Sequence, residues 1–174
     1  MVSMVEGINF AGEFKLNRAF LESPTGEKID LIKNLSIVEI NIFEDIFKSC
    51  MSGSIIVGDS RDIVNKVPII GQELLYLKIS TPSLTSKDEI LDFELTPFYV
   101  HKVSERTEIS TGGQVYELSF VSQEAIVNSR KRLSKSSVGS ISDIVTDILE
   151  NELNTKKQID IESTIGIRKY IIPN

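Results

Sequence analysis

The sequence contains no tryptophan, one histidine and one cysteine, and each shortage removes a class of chemistry. The lone Cys50 excludes an internal disulfide, and a cysteine beside apolar residues reads as a small buried hydrophobe. The lone His101 rules out a histidine-rich metal site and is the sole candidate base for a Ser-His-Asp triad. It alternates with Tyr99 and Val103 in a strand-like run, which is a structural setting. No apolar run reaches the length that crosses a bilayer, and the opening MVSMVEG lacks the basic region and long apolar stretch of a signal peptide. The expectation is a chain without a membrane segment, made in a cytoplasm. Gly53, Gly58 and Gly71 are not followed by the Lys-Ser or Lys-Thr of a phosphate-cradling loop. They read as bends, and no nucleotide or other cofactor is expected.

Excess positive charge is also missing. The 174 residues carry a formal net charge of -6 and a pI near 4.9, whereas affinity for nucleic-acid phosphates comes from Lys and Arg displacing counterions. Arg130, Lys131, Arg132 and Lys135 form the only concentrated basic patch, and it has no interleaved aromatics on which bases could stack. It reads as a solvated link, or as a face for an acidic neighbouring subunit. The carboxylates of Asp59, Asp62, Asp88, Glu89, Glu105 and Glu108 could supply a pair for glycosidic chemistry. Their places in turns and at a helix start are explained by capping and solubility. No catalytic, cofactor-binding or metal-binding residue is therefore assigned, and the chain is not expected to be an enzyme.

What is present is an ordinary globular composition, 41% hydrophobic and 25% charged, long enough to bury a core. Residues 37–80 organise it, with three alternating runs at Ile37–Phe43, Gly53–Val57 and Leu74–Ile79. In the first, Val38, Ile40 and Ile42 share the core face. Glu44–Ser52 reads as a twisted hairpin connection. After Val57, Asp59 is placed to accept from the free amides of a short helix that ends before Pro68, and Asp62 stands at the capping-box position. Gly71 then resets the chain into a strand with Leu75, Leu77 and Ile79 on one face.

Upstream, Glu13–Leu21 alternates Phe14, Leu16, Arg18 and Phe20 against Glu13, Lys15, Asn17 and Ala19. Ser23–Glu27 is turn chemistry, and Ile29–Leu35 leads into the long strand. Downstream, residues 81–89 read as a solvated loop. Strand character resumes over Ile90–Val103, with Pro97 marking a bulge or edge. Ser110–Gly113 is a hairpin turn into Val115–Val121, whose Tyr116, Leu118 and Phe120 point inward. Ser122 is an N-cap for a helix over Gln123–Asn128. Residues 129–139 read as a link, and Ser140 caps an amphipathic helix with Ile141, Ile144, Val145, Ile148, Leu149 and Leu153 on one face. The fold class is mainly β: an antiparallel barrel or sandwich over residues 1–128, then a link, helix and short strands over residues 129–174 that begin a second domain.

The segment SGSIIVGDSRDIVNKVPIIGQELLYLKIS resembles part of the baseplate hub proteins of contractile-tailed bacteriophages. Their first barrel has a strand ending in a polar turn, an Asp-Ser dipeptide opening a brief helix, and a small residue before a Leu- and Ile-rich strand. Here these are Gly53–Val57, Asp59-Ser60, Ile63–Lys66 and Gly71–Ser80. The basic link and following helix extend the likeness over residues 14–173. The resemblance implies a tail-tube-type barrel in a structural virion protein, a homotrimer whose ring adapts the tail tube to the central spike. DNA would pass through the lumen without specific binding, and the tail tube proteins and central spike protein would be its partners. Hub proteins carry two barrels per subunit, so a trimer of this chain would imply a missing C-terminal half. The rival class is a β-barrel binding module for nucleic acid or oligosaccharide.

Overall fold

A computed structural model describes residues 14–66, 69–81, 89–109 and 112–173. The contacts divide the chain into two compact units, residues 1–121 and 122–174. Glu13, Pro68, Asp88, the expected loop at residues 82–88, and Ser110 and Thr111 lie outside the described residues.

The first unit is an antiparallel sheet of eight strands: β1 (Lys15–Glu22), β2 (Lys28–Asp30), β3 (Ser36–Phe43), β4 (Ser52–Asp59), β5 (Leu74–Thr81), β6 (Glu89–Asp92), β7 (Phe98–Ile109) and β8 (Gly113–Ser122). The neighbour order is β2-β1-β5-β7-β8-β4-β3, with β6 also on β5. The two ends of this path are β2 and β3, and only the one-turn helix α1 (Leu31–Asn34) and Leu35 separate them in the chain. A seven-strand path whose ends are joined by five residues has to curl, because so short a connection cannot span a flat sheet. Among the described residues no strand pairing closes the seam. Instead α1 lies there, capped by the Asp30 carboxylate that accepts from the Lys33 amide at 3.1 Å, with Leu31 and Leu35 turned into the core.

That core is filled by alternate residues of the curled strands: Ala19 and Leu21, Ile55 and Val57, Leu75 and Leu77, Phe98 and Val100, and Tyr116, Leu118 and Phe120. Phe98 lies between Phe93 and Phe120, with ring centroids 4.7 and 4.8 Å away. Gly53 is obligatory here, since a Cβ would sit 2.3 Å from the Asn41 carbonyl oxygen and 2.4 Å from the Phe120 ring.

Two bulges move side chains off the faces that strict alternation gives them. Between Leu16↔Ile79 and Arg18↔Lys78 the residue Asn17 is extra. Leu16 therefore packs on the core, the inward set resumes at Ala19 and Leu21, and Phe20 is turned to the outer face. Between Ile37↔Val57 and Glu39↔Ile56 the extra residue is Val38. It is 65% exposed, while Ile37, Ile40 and Ile42 pack against the core. The Ile90–Val103 run is two strands. Between Leu75↔Phe98 and Lys78↔Asp92, β5 advances three residues and its partner six, so the segment before Pro97 loops out.

The second unit contains α3 (Gln123–Arg130), β9 (Lys135–Gly139), α4 (Ile141–Asp147), a π-helical continuation over Ile148–Glu152, and β10 (Arg168–Ile172). Ser140 caps α4, its hydroxyl accepting from the Asp143 amide at 3.1 Å. β9 and β10 form an antiparallel ribbon from Arg168↔Gly139 to Ile172↔Lys135. Part of the stretch expected as a link is thus strand.

Candidate functional site

The polar residues of the first unit hold its turns together. Asp59 is 2% exposed because β4 ends inside the fold just where the chain must turn into α2 (Ile63–Lys66). Its Oδ1 accepts from the Arg61 amide at 2.9 Å, and its Oδ2 from the Ile63 and Val64 amides at 2.6 and 3.2 Å and from the Tyr116 hydroxyl at 3.3 Å. This satisfies donors at a helix start that would otherwise be buried without partners. Burial, with the Asp59 carboxylate next in effect, pushes the Tyr116 phenol well above its ordinary value.

Asp62, at φ 58°, makes no capping box. Its Oδ1 accepts from Asn65 Nδ2 at 2.6 Å and Gln114 Nε2 at 2.9 Å, and Arg106 donates to Asn65 Oδ1 at 3.0 Å. Asp59 and Asp62 thus share one turn, where each is occupied by donors. Glu105 and Glu108 are exposed on β7, as is His101. Asp88 is not described, and Glu89 stands in β6. The carboxylates suggested for glycosidic chemistry therefore form no convergent pair among the described residues. No group of three or more His, Cys, Asp or Glu side chains capable of holding a metal ion occurs among them.

Sequence reasoning missed a third carboxylate, Glu73. It is 2% exposed and accepts from the amides of Ile70, Gly71 and Gln72 at 2.6, 3.0 and 3.1 Å. Gly71 at φ 85° permits this tight cradle. Gly71-Gln72-Glu73 is the signal in retrospect, a positive-φ glycine two residues before an acid that enters a strand.

On the outer face, Phe20 and Tyr76 are cross-strand partners with centroids 4.4 Å apart and planes within 8°. Lys28 Nζ stands 5.3 Å from the Phe20 centroid. Burial, helped by the Glu22 carboxylate, pushes the Tyr76 phenol up to about 12. A cleft of about 610 Å³ opens beside this stack, bounded by Arg18, Phe20, Lys28, Asp30 and Lys33. Its cations are already paired: Arg18 with Glu94, Lys28 with Glu22 at 3.6 Å, and Lys33 with Asp30 at 3.0 Å.

Within the second unit, half of the basic patch is also paired internally. Lys131 reaches Glu152 at 2.8 Å, and Lys135 joins both Asp147 and Glu152. Burial pushes the Glu124 carboxyl up, but the Thr155 hydroxyl at 2.6 Å, a backbone amide and Lys157 at 3.2 Å together hold it below its ordinary value. A groove of about 620 Å³ lies along α4 and β10, walled by Ile141, Ile144, Val145, Ile148 and Tyr170, with Arg168 and Lys169 among its lining.

No protein-family model, curated protein or solved structure matches the chain. Among the described residues no helix is long and apolar enough to cross a membrane.

Proposed function

We propose that this chain is a structural subunit of a phage tail baseplate hub, assembling through its sheet edges into a ring that joins the tail tube to the central spike and surrounds the DNA channel. The observation that carries this reading is the curled antiparallel sheet itself. Its path ends on β2 and β3, neither of which has a second strand neighbour among the described residues. Open edges of this kind invite pairing with another chain, and a heterologous pairing that closes gives a ring. The buried carboxylates support the same reading, because Asp59 and Glu73 are fully engaged by turn amides. Shape and symmetry then provide the mechanism: barrels of tail-tube type line the channel, and a net negative protein does not hold passing DNA. By the resemblance the assembly is a homotrimer in the virion, with no turnover.

The cleft at the Phe20–Tyr76 stack favours a second reading, a binding module for nucleic acid or oligosaccharide on one sheet face. Its paired cations weaken attraction for an anionic strand. Light scattering separates the two. A trimer or larger species without saturable binding to single-stranded DNA or oligosaccharide supports the hub. A monomer at every concentration, with saturable binding lost on Phe20→Ala, supports the module and contradicts the hub.

A further inference from the structure

The β3–β4 connection holds large apolar side chains in water on a turn closed by its own hydrogen bonds. Asp45 Oδ1 accepts from the Phe47 amide at 2.9 Å, and the Asp45 carbonyl accepts from the Lys48 amide at 2.9 Å. Ile46 and Phe47, at the apex, are 93% and 94% exposed. A turn whose backbone is already closed loses less freedom on docking than an open loop, and an aromatic anchor entering an apolar pocket is the usual centre of binding energy. Glu44 and Asp45 give the near flank of this tip negative charge, and Lys48 follows beyond it. Glu44 forms no ion pair among the described residues.

The groove of the second unit has the complementary character. Its volume, about 620 Å³, lies within the roughly 300–1,000 Å³ of well-formed binding clefts. Ile141, Val145 and Tyr170 are 53%, 40% and 58% exposed, while Ile144 at the base is buried, so the outer part of its apolar wall is uncovered. Arg168 and Lys169 are its only charged lining and form no ion pair among the described residues.

We infer that the Ile46–Phe47 turn of one copy seats in the α4–β10 groove of a second copy, with Glu44 directed toward Arg168 and Lys169. Apolar tip meets apolar wall, and an unpaired acid meets two unpaired cations. Local opposite charge matters more than usual here, because two copies of a net negative chain repel elsewhere and only a matched patch fixes their register. Each copy both offers a tip and presents a groove, so the contact is head-to-tail, and it propagates into a closed ring or a filament. It stands apart from the virion reading, which could fail while copies still dock in this way.

Sedimentation equilibrium tests it with two variants confined to exposed positions. Wild type is expected to associate with rising concentration. Ile46→Ser/Phe47→Ser, which lacks the tip, and Arg168→Glu/Lys169→Glu, which lacks the cationic rim, should each weaken association by roughly tenfold or more. Circular dichroism checks that both remain folded. Mixed in equal amounts, the two variants should form a one-to-one dimer that neither forms alone, since one retains a groove and the other a tip. The inference is overturned if wild type is monomeric throughout, if either folded variant associates like wild type, or if the mixture yields no heterodimer. A monomeric wild type whose second unit binds an apolar dye would assign the groove to a different occupant.

Discussion

The two units of this chain are held by different forces. Every buried apolar side chain among the described residues except Ile144 belongs to the first unit. There, alternate residues of curled strands meet inside the sheet, and burial dominates because each large apolar side chain removed from water contributes about 1.5–3 kcal/mol. The second unit has a two-stranded ribbon, a short helix with half its apolar stripe in solvent, and ion pairs centred on Glu152, Asp147 and Glu124. Such surface pairs are worth little singly, and an isolated two-stranded ribbon is marginal. The first unit completes its own core, whereas the second displays an unfinished one. The open apolar wall is where the inferred second copy would dock.

The two units are set against each other most sharply by cutting one apolar side chain back to alanine in each. Leu118→Ala should cost about 3–4 kcal/mol in denaturant melts, while Val145→Ala should cost under about 0.5 kcal/mol in the unassembled chain. Equal costs would mean the groove wall is packed after all. Next in size is Asp59→Ala, which strands three backbone amides and the Tyr116 hydroxyl and should cost about 3 kcal/mol. Restoration of most of that loss by Asp59→Asn is excluded, because the amide replaces one accepting oxygen with a donor. Within β3, Ile40→Asp buries an unpaired carboxylate partway and should cost about 2 kcal/mol. Val38→Asp, two residues away on the bulge, should cost almost nothing, and a reversed order would contradict the register.

The smallest effect is acid sensitivity: carboxyls are lowered in both units, Asp30 and Asp92 by lysine hydrogen bonds in the first, but in the second such groups stand beside little buried apolar core. Hydrogen bonds from Lys131 and Lys135 hold the Glu152 carboxyl below its ordinary value of 4.5, and the Lys135 hydrogen bond holds Asp147 below 3.8. Glu124 is likewise lowered from 4.5, its partners outweighing burial. Groups lowered on folding stabilise fully above their unfolded values, and that contribution is lost as pH falls through the lower folded values. Methyl resonances of Ile144 should therefore broaden or shift as pH drops below about 4, before those of Leu118. Simultaneous loss in both units would show that their stabilities are not distinct.

Much of this architecture was legible in the residues, and what escaped did so for physical reasons. Leu75, Leu77 and Ile79, Tyr116, Leu118 and Phe120, and the caps at Asp59 and Ser140 follow directly from period-two and capping chemistry. Phe20 and Val38 did not, because Asn17 and Val38 are extra residues in their ladders, and a bulge of one residue reverses every face beyond it. Nothing in Asn17 or Val38 advertises a bulge locally, since it arises from how the sheet must bend. Lys135–Gly139 resembled a link because its partner β10 lies about 30 residues away and its own residues are small and polar. The Ile46–Phe47 tip was visible as apolar residues interrupting a polar loop, but their exposure depends on the Asp45 turn. Glu73 lay hidden because an acid in a strand-entry position has no sequence mark distinguishing a solvated side chain from one buried on amides.

In the proposed reading, open sheet edges serve assembly around a pore. Electron microscopy of the purified protein, at concentrations where scattering reports its largest species, tests it most directly. The account predicts ring-shaped particles, or stacks of them, with a central channel. Compact solitary particles without a channel at every concentration would contradict it.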